Sequence, residues 1–105
     1  MKQLTKSLLK INFKGIDLAN VAQIEFAFSQ NIGEAPLKVE TYPGDSVIKL
    51  SDTSLGVEWT AGETELFEAG KVFYGDTRIT MADSAYQPET SMLKLRMNPT
   101  LFEKA

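Results

Sequence analysis

Four segments of the chain alternate between large apolar residues and polar or small ones, and this pattern constrains the fold most. The alternating segments are 9–14, 23–29, 55–59 and 93–97. Successive side chains of a β-strand point to opposite faces, so a period of two residues is typical of a strand with one buried face. Weaker strand patterns occur at 37–41, 47–50 and 71–81. The sequence therefore predicts about seven short strands.

Residues that favour turns fall between or within these segments. They are Asn31-Ile32-Gly33, Pro43-Gly44-Asp45, Gly75-Asp76 and Gln87-Pro88. Short alternating strands with such spacing predict an antiparallel β-sandwich or β-barrel, whereas an α/β fold needs long helices between its strands. We expect one mainly β domain over residues 1–105. Alternation does not distinguish a sandwich from a barrel, because both bury the same faces.

One short helix is predicted after the third alternating segment. Thr60 is followed three residues later by Glu63, the spacing of a capping box in which each side chain bonds the other residue's backbone amide. The pattern places Leu66 and Phe67 toward the core and Gly70 at the C-terminal end of the helix. We expect about two turns of helix.

The chain contains neither histidine nor cysteine. The usual zinc sites and the Ser-His-Asp and Cys-His catalytic systems therefore cannot be built, and the commonest general base is missing. Neither a calcium-binding loop nor a glycine-rich phosphate-binding motif occurs. The sequence predicts no catalytic residue, no metal site, no cofactor and no enzymatic activity.

Acidic residues concentrate around the predicted helix and offer the one catalytic alternative. Two carboxylates across a cleft suffice for glycoside hydrolysis. The residues concerned are Glu58, Glu63, Glu65 and Glu68. The favoured interpretation is that Glu63 caps the helix and the others form a solvated surface beside its N-terminus.

Charge argues against nucleic acid as a partner, and hydropathy argues against a membrane span. Formal net charge is −3, no five like charges are consecutive, and only Arg78 and Arg96 supply guanidinium groups, so phosphate-driven nucleic-acid binding is not expected. No segment approaches the ~18 apolar residues of a membrane span. The N-terminal residues lack the apolar stretch of a signal peptide, so we expect synthesis in the cytoplasm. Lys6, Lys10 and Lys14 would share one face of a strand, opposite Glu25 if that strand pairs with the next one.

Aromatic residues supply the candidates for a partner-binding surface. Trp59 is in phase with Leu55 and Val57, so burial in the core is the favoured interpretation. Phe73 and Tyr74 are consecutive, so on a strand one of them faces outward. Tyr42 and Tyr86 lie beside predicted turns, where exposed aromatic residues can anchor a partner. The candidate surface residues are Tyr42, Phe73, Tyr74 and Tyr86.

Two segments resemble a known class of proteins. The segments are Ile24-Glu25-Phe26-Ala27-Phe28-Ser29-Gln30 and, later, Leu55-Gly56-Val57-Glu58-Trp59-Thr60-Ala61-Gly62-Glu63-Thr64-Glu65-Leu66-Phe67, followed by Gly70-Lys71-Val72-Phe73-Tyr74. Together they resemble small β-rich proteins encoded in tailed phages and prophages of Gram-positive bacteria, often near virion structural genes. The likeness covers roughly residues 8–98. It implies a virion, tail or baseplate accessory module that acts through binding surfaces.

The leading functional prediction is a non-catalytic phage structural or assembly protein. It would dock onto other phage structural proteins or onto copies of itself, as a homo-oligomer such as a ring, and become associated with the virion. One alternative is a carbohydrate- or cell-surface-binding module that stacks sugars on Tyr42, Tyr86 and Trp59. Another alternative is a small regulator that binds a host protein.

Overall fold

A computed structural model describes residues 1–83, 87–88 and 90–99. Over these residues it confirms a mainly β chain of seven strands and one short helix. The elements are β1 (Ser7–Asn12), a 3-10 turn (Leu18–Asn20), β2 (Val21–Ser29), β3 (Lys38–Tyr42), β4 (Val47–Ser51), β5 (Ser54–Trp59), α1 (Ala61–Glu65), β6 (Val72–Met81) and β7 (Leu93–Arg96).

The strands form two antiparallel sheets, which settles the choice between sandwich and barrel. A three-stranded sheet has the order β1-β5-β4, and a four-stranded sheet has the order β3-β2-β6-β7. The chain passes from one sheet to the other between β1 and β2, β3 and β4, and β5 and β6. Each sheet turns its apolar face toward the other, so the alternating residues of both fill one core.

Trp59 lies at the centre of this core, as its phase predicted. It is fully buried, and its ring centroid lies 4.9 Å from that of Phe28, 5.4 Å from that of Phe67 and 5.6 Å from that of Phe73. Such tilted and edge-to-face ring pairs each contribute about 0.5–1.5 kcal/mol beyond the burial of their area. The aromatic cluster therefore joins β2, β5 and β6 to the segment after the helix.

The capping box is confirmed, but the helix is shorter than predicted. Thr60 Oγ1 accepts from the Glu63 amide at 3.1 Å, and Glu63 Oε1 accepts from the Thr60 amide at 2.9 Å. The helix ends at Glu65, so Gly70 (φ +77°) does not cap it and instead turns the chain into β6. Phe67 is buried as predicted, whereas Leu66 is 52% exposed.

One further local prediction is wrong, and one pairing that the sequence left open does not occur. Gly75 and Asp76 do not form a turn, because β6 runs through both and pairs them with Phe28 and Ala27 of β2. β1 pairs with β5 rather than with β2, so the residue directly beside Lys10 is Gly56 and not Glu25. Pairing between strands distant in sequence is not encoded in the alternation of either strand.

Gly75 is required by close packing in the four-stranded sheet. A Cβ atom there would lie 2.7 Å from Phe28 Cε1, and Phe28 cannot retreat because it packs on Trp59. We expect Gly75→Ala to lower the free energy of unfolding by about 1–3 kcal/mol in urea denaturation. The control is Gly62→Ala in α1, where the new Cβ meets only Thr60 Oγ1 at 3.9 Å. The control should be neutral or stabilising, and equal losses in both variants would contradict this packing account.

Candidate functional site

The side chains of β3 and its preceding residue face the opposite way to the one that their composition favours. Its lysine faces the core, and the side chain of Lys38 is 1% exposed. The apolar neighbours Leu37 and Val39 are 44% and 56% exposed on the outer face of the four-stranded sheet. Because a one-residue shift moves every side chain of a strand to the other face, a single buried residue decides what β3 presents to solvent.

A set of charge and aromatic contacts holds Lys38 in the core. Its Nζ donates to Glu63 Oε2 at 2.6 Å and to Glu40 Oε1 at 3.1 Å. The same nitrogen lies 5.1 Å from the centroid of the Trp59 ring, within cation–π range. Both carboxylates remain partly exposed, which lowers the desolvation cost of the cluster. Because the amine is not accessible to solvent, it links β3 to α1 and is not placed to act as a nucleophile.

The outer surface of the four-stranded sheet, which we call the outer face, has a hollow at its centre. Val39, Ala27 and Asp76 are direct neighbours across β3, β2 and β6. Ala27 has the smallest side chain of the three. Two adjoining cavities of about 170 and 400 Å³ share it in their lining, and together they form the hollow. Both are lined by Ala27, Asp76 and Pro36. A short side chain between taller neighbours creates this depression.

One rim of the hollow is the loop between β2 and β3, which carries exposed apolar residues. Ile32 in this loop is 65% exposed, and Met92, before β7, is 45% exposed beside it. Gln30 anchors the loop, since its Nε2 donates to the Val72 carbonyl at 2.9 Å and its Oε1 accepts from the Glu68 amide at 2.7 Å. The start of this loop is therefore tied to β6 and to the segment between α1 and β6.

Among the described residues, two of the charged side chains around the hollow form an ion pair with each other and two carboxylates form none. Glu25 and Arg78 form a two-pronged pair with nitrogen–oxygen distances of 3.1 and 2.9 Å, and these hydrogen bonds raise the pKa of Arg78. Asp76 and Glu34 also line the hollow. Within residues 1–83, 87–88 and 90–99, neither of these two carboxylates lies in an ion pair. Each accepts one local hydrogen bond, Asp76 from the Thr77 amide and Glu34 from Asn31 Nδ2. The hollow thus combines an apolar floor and rim with two carboxylates that have no cation bound to them within these residues.

The structure separates the four aromatic candidates. Tyr74 is half-buried and lines the hollow. Phe73 is fully buried in the aromatic cluster, so this residue is removed from the candidate surface. Tyr42 pairs with Ile24 and packs against the core at the end of β3. Tyr86 lies outside the described residues.

Two of the four carboxylates near α1 are held by structural contacts. Glu63 is occupied by the capping box and by Lys38, and Glu68 pairs with Lys71 at 3.1 Å. In the part of the chain that the structure describes, no group of three or more acidic residues is placed to hold a metal ion. Over the same residues, no helix has the length and hydropathy needed to cross a membrane.

No protein-family model, curated protein or solved structure matches this chain. A function for this chain is therefore proposed from its own residues and their contacts.

The Lys38 cluster makes stability depend on acid pH. Partial burial raises the pKa of Glu63, but hydrogen bonds from Lys38 and Thr60, with the Lys38 charge, outweigh burial and lower the pKa below its ordinary value of 4.5. A carboxylate of lowered folded-state pKa stabilises the fold above its unfolded pKa, and this contribution is lost as pH falls through the folded value.

We therefore expect the urea midpoint to fall as the pH is lowered below 4.5, and Glu63→Gln to flatten that fall. Glu65→Gln, on the same helix, leaves the Lys38 contacts in place and should retain the wild-type profile. Identical acid profiles for wild type and Glu63→Gln would show that this carboxylate does not contribute.

Proposed function

We propose that this chain is a non-catalytic docking protein that binds a protein partner over its outer face. The observation that carries the proposal is the phase of β3, which buries a lysine and exposes Leu37 and Val39. Burying an ammonium is costly unless it is fully paired, whereas burying valine and leucine is favourable. The exposed apolar side chains would regain favourable burial when another protein covers this face, so we infer that binding a protein is its role.

The shape and composition of the face support a protein partner. Ile32, Val39 and Met92 surround a hollow over Ala27, and Tyr74 lies at its edge. Apolar pockets with aromatic and methionine side chains are enriched at the centres of protein interfaces. The paired and unpaired charges around the hollow would form the polar rim of such an interface.

The biological setting that we propose is a structural or assembly role in a phage particle, of the tail or baseplate type. This setting rests on the resemblance that we drew from residues 24–30, 55–67 and 70–74 to small phage-encoded proteins. The absence of histidine and cysteine from the whole chain agrees with a role that depends on contact surfaces and not on chemistry.

Carbohydrate binding receives less support. The stacking residues that this alternative requires are Trp59, Tyr42 and Tyr86. Trp59 is fully buried, so its ring is closed to a sugar, and Tyr42 is half-buried against the core. Glycan binding in titrations, lost on Tyr42→Ala or Tyr86→Ala, would revive this alternative.

Mass spectrometry of phage particles, purified from a culture that expresses the gene, tests the proposed setting. We expect this chain at a fixed ratio to a capsid or tail protein. If the expressed chain is absent from the particles, the structural role is contradicted. A stoichiometric host protein in a pull-down would then favour the regulator alternative.

A further inference from the structure

The second exposed face of the sandwich carries an apolar ridge. On the outer side of the three-stranded sheet, Leu8 is 50% exposed and Ile48 is 42% exposed. The side chain of Leu8 lies over Gly56 of the central strand, since a Cβ atom built on Gly56 would be 2.8 Å from Leu8 Cδ1. We call this surface, formed by Leu8, Lys10, Ile48 and Gly56, the ridge face.

The ridge face carries the opposite charge to the hollow at its centre. Lys10 pairs with Gly56, and Gly56 pairs with Ile48, so the three residues form one row across β1, β5 and β4. Lys10 is exposed, and among the described residues it takes part in no ion pair. Glu58 is also on this face, half-buried beside Leu8. The charge in the row of Ile48 and Gly56 is therefore positive, whereas the residue paired with Leu8 is acidic.

The central rows of the two faces are complementary position by position. On the outer face the row runs apolar, small, acidic through Val39, Ala27 and Asp76. On the ridge face it runs apolar, small, basic through Ile48, Gly56 and Lys10. Neighbouring strands lie about 4.8 Å apart, so both rows span about 10 Å from the apolar residue to the charge.

We propose that the occupant of the outer face is a second copy of this chain, which docks through its ridge face. Ile48 of one copy would lie against Val39 of the next, and Lys10 would lie against Asp76. Leu8, raised over Gly56, would enter the hollow over Ala27. The contact joins an acid and a base that form no ion pair among the described residues of one copy, while it covers both apolar patches.

The contact is head to tail, so each copy keeps one free face for another. Heterologous contacts of this kind close into rings or extend as filaments, depending on the rotation between copies. This inference rests on the proposed docking function and names its partner. It predicts repeated copies of the chain in any assembly that contains it.

Sedimentation of the purified full chain tests the inference, with charge-reversal variants of both faces. Wild type should self-associate as its concentration rises. Lys10→Glu and Asp76→Lys should each weaken association by on the order of 10- to 100-fold, because each places like charges opposite each other. The double variant should recover association, since Glu at position 10 then meets Lys at position 76.

A mixture of the two single variants gives the sharpest outcome. Lys10→Glu keeps a functional outer face and Asp76→Lys keeps a functional ridge face. Together they should recover association in assemblies where the two variants alternate, because Asp76 meets Lys10 at one contact and Glu at position 10 meets Lys at position 76 at the next, although each variant alone associates weakly. Both positions are exposed, so the thermal midpoint of each variant should match that of wild type.

Monomeric wild type at every concentration would overturn the inference, and so would association that neither charge reversal alters. Neither result bears on whether the chain is present in particles. A chain found in particles but monomeric in solution would therefore contradict the second copy as partner and leave the docking function standing.

Discussion

Replacing Trp59 with alanine is expected to lower the free energy of unfolding by about 3–5 kcal/mol. Trp59 touches three other aromatic rings and carries Lys38 on its face, so its removal leaves a cavity between the sheets. Domains of this size are stable by only about 5–15 kcal/mol. The variant should lose most of its cooperative urea transition.

Trp59→Phe is the matched control. It retains an aromatic ring in the cluster, and Trp59 Nε1 has no hydrogen-bond partner among the described residues, so no hydrogen bond is lost. We expect a smaller loss, below about 2 kcal/mol. Equal losses for Phe and Ala at this position would mean that the ring contacts are not what stabilises the centre of the sandwich.

Replacing Ala27 with arginine is expected to reduce binding to the docked partner by about 100-fold, because the long side chain fills the hollow and neutralises Asp76. The side chain of Ala27 points away from the core, so stability should change by less than about 1 kcal/mol. Two readouts apply: the ratio of particle-bound to free chain at matched expression, and the self-association of the purified chain.

Thr53→Arg is the control for this variant. Thr53 is exposed in the turn between β4 and β5, outside both rows. The control introduces the same charge and size but should bind as wild type does. Unimpaired binding of the Ala27 variant, with its fold intact, would remove the hollow from the interface.

Local patterns in the sequence were sufficient to predict most of the strands and the capping box. Alternation at residues 23–29 and 55–59 identified the inward faces of β2 and β5 because both strands turn their large apolar side chains to the same core. The Thr60–Glu63 spacing encodes its own hydrogen bonds, which span three residues. Such features need no knowledge of the rest of the chain.

The candidate site depends on contacts between distant segments, which explains why the sequence did not reveal it. Composition would turn Leu37 and Val39 inward, but Lys38 is held inward by contacts that include Glu63, 25 positions later, and the ring of Trp59. The choice between Phe73 and Tyr74 was open for the same kind of reason. It is made by the packing of Phe73 onto Trp59 and Phe67.

Photo-crosslinking from Val39 tests the central claim, that the outer face is a docking surface, most directly. A benzophenone amino acid would replace Val39 in one variant and Thr53 in another, each expressed where particles assemble. We predict one discrete adduct from position 39, with a second copy of the chain or with one particle protein, that disappears in the Ala27→Arg background. No adduct from position 39, or the same adduct from both positions, would contradict the account.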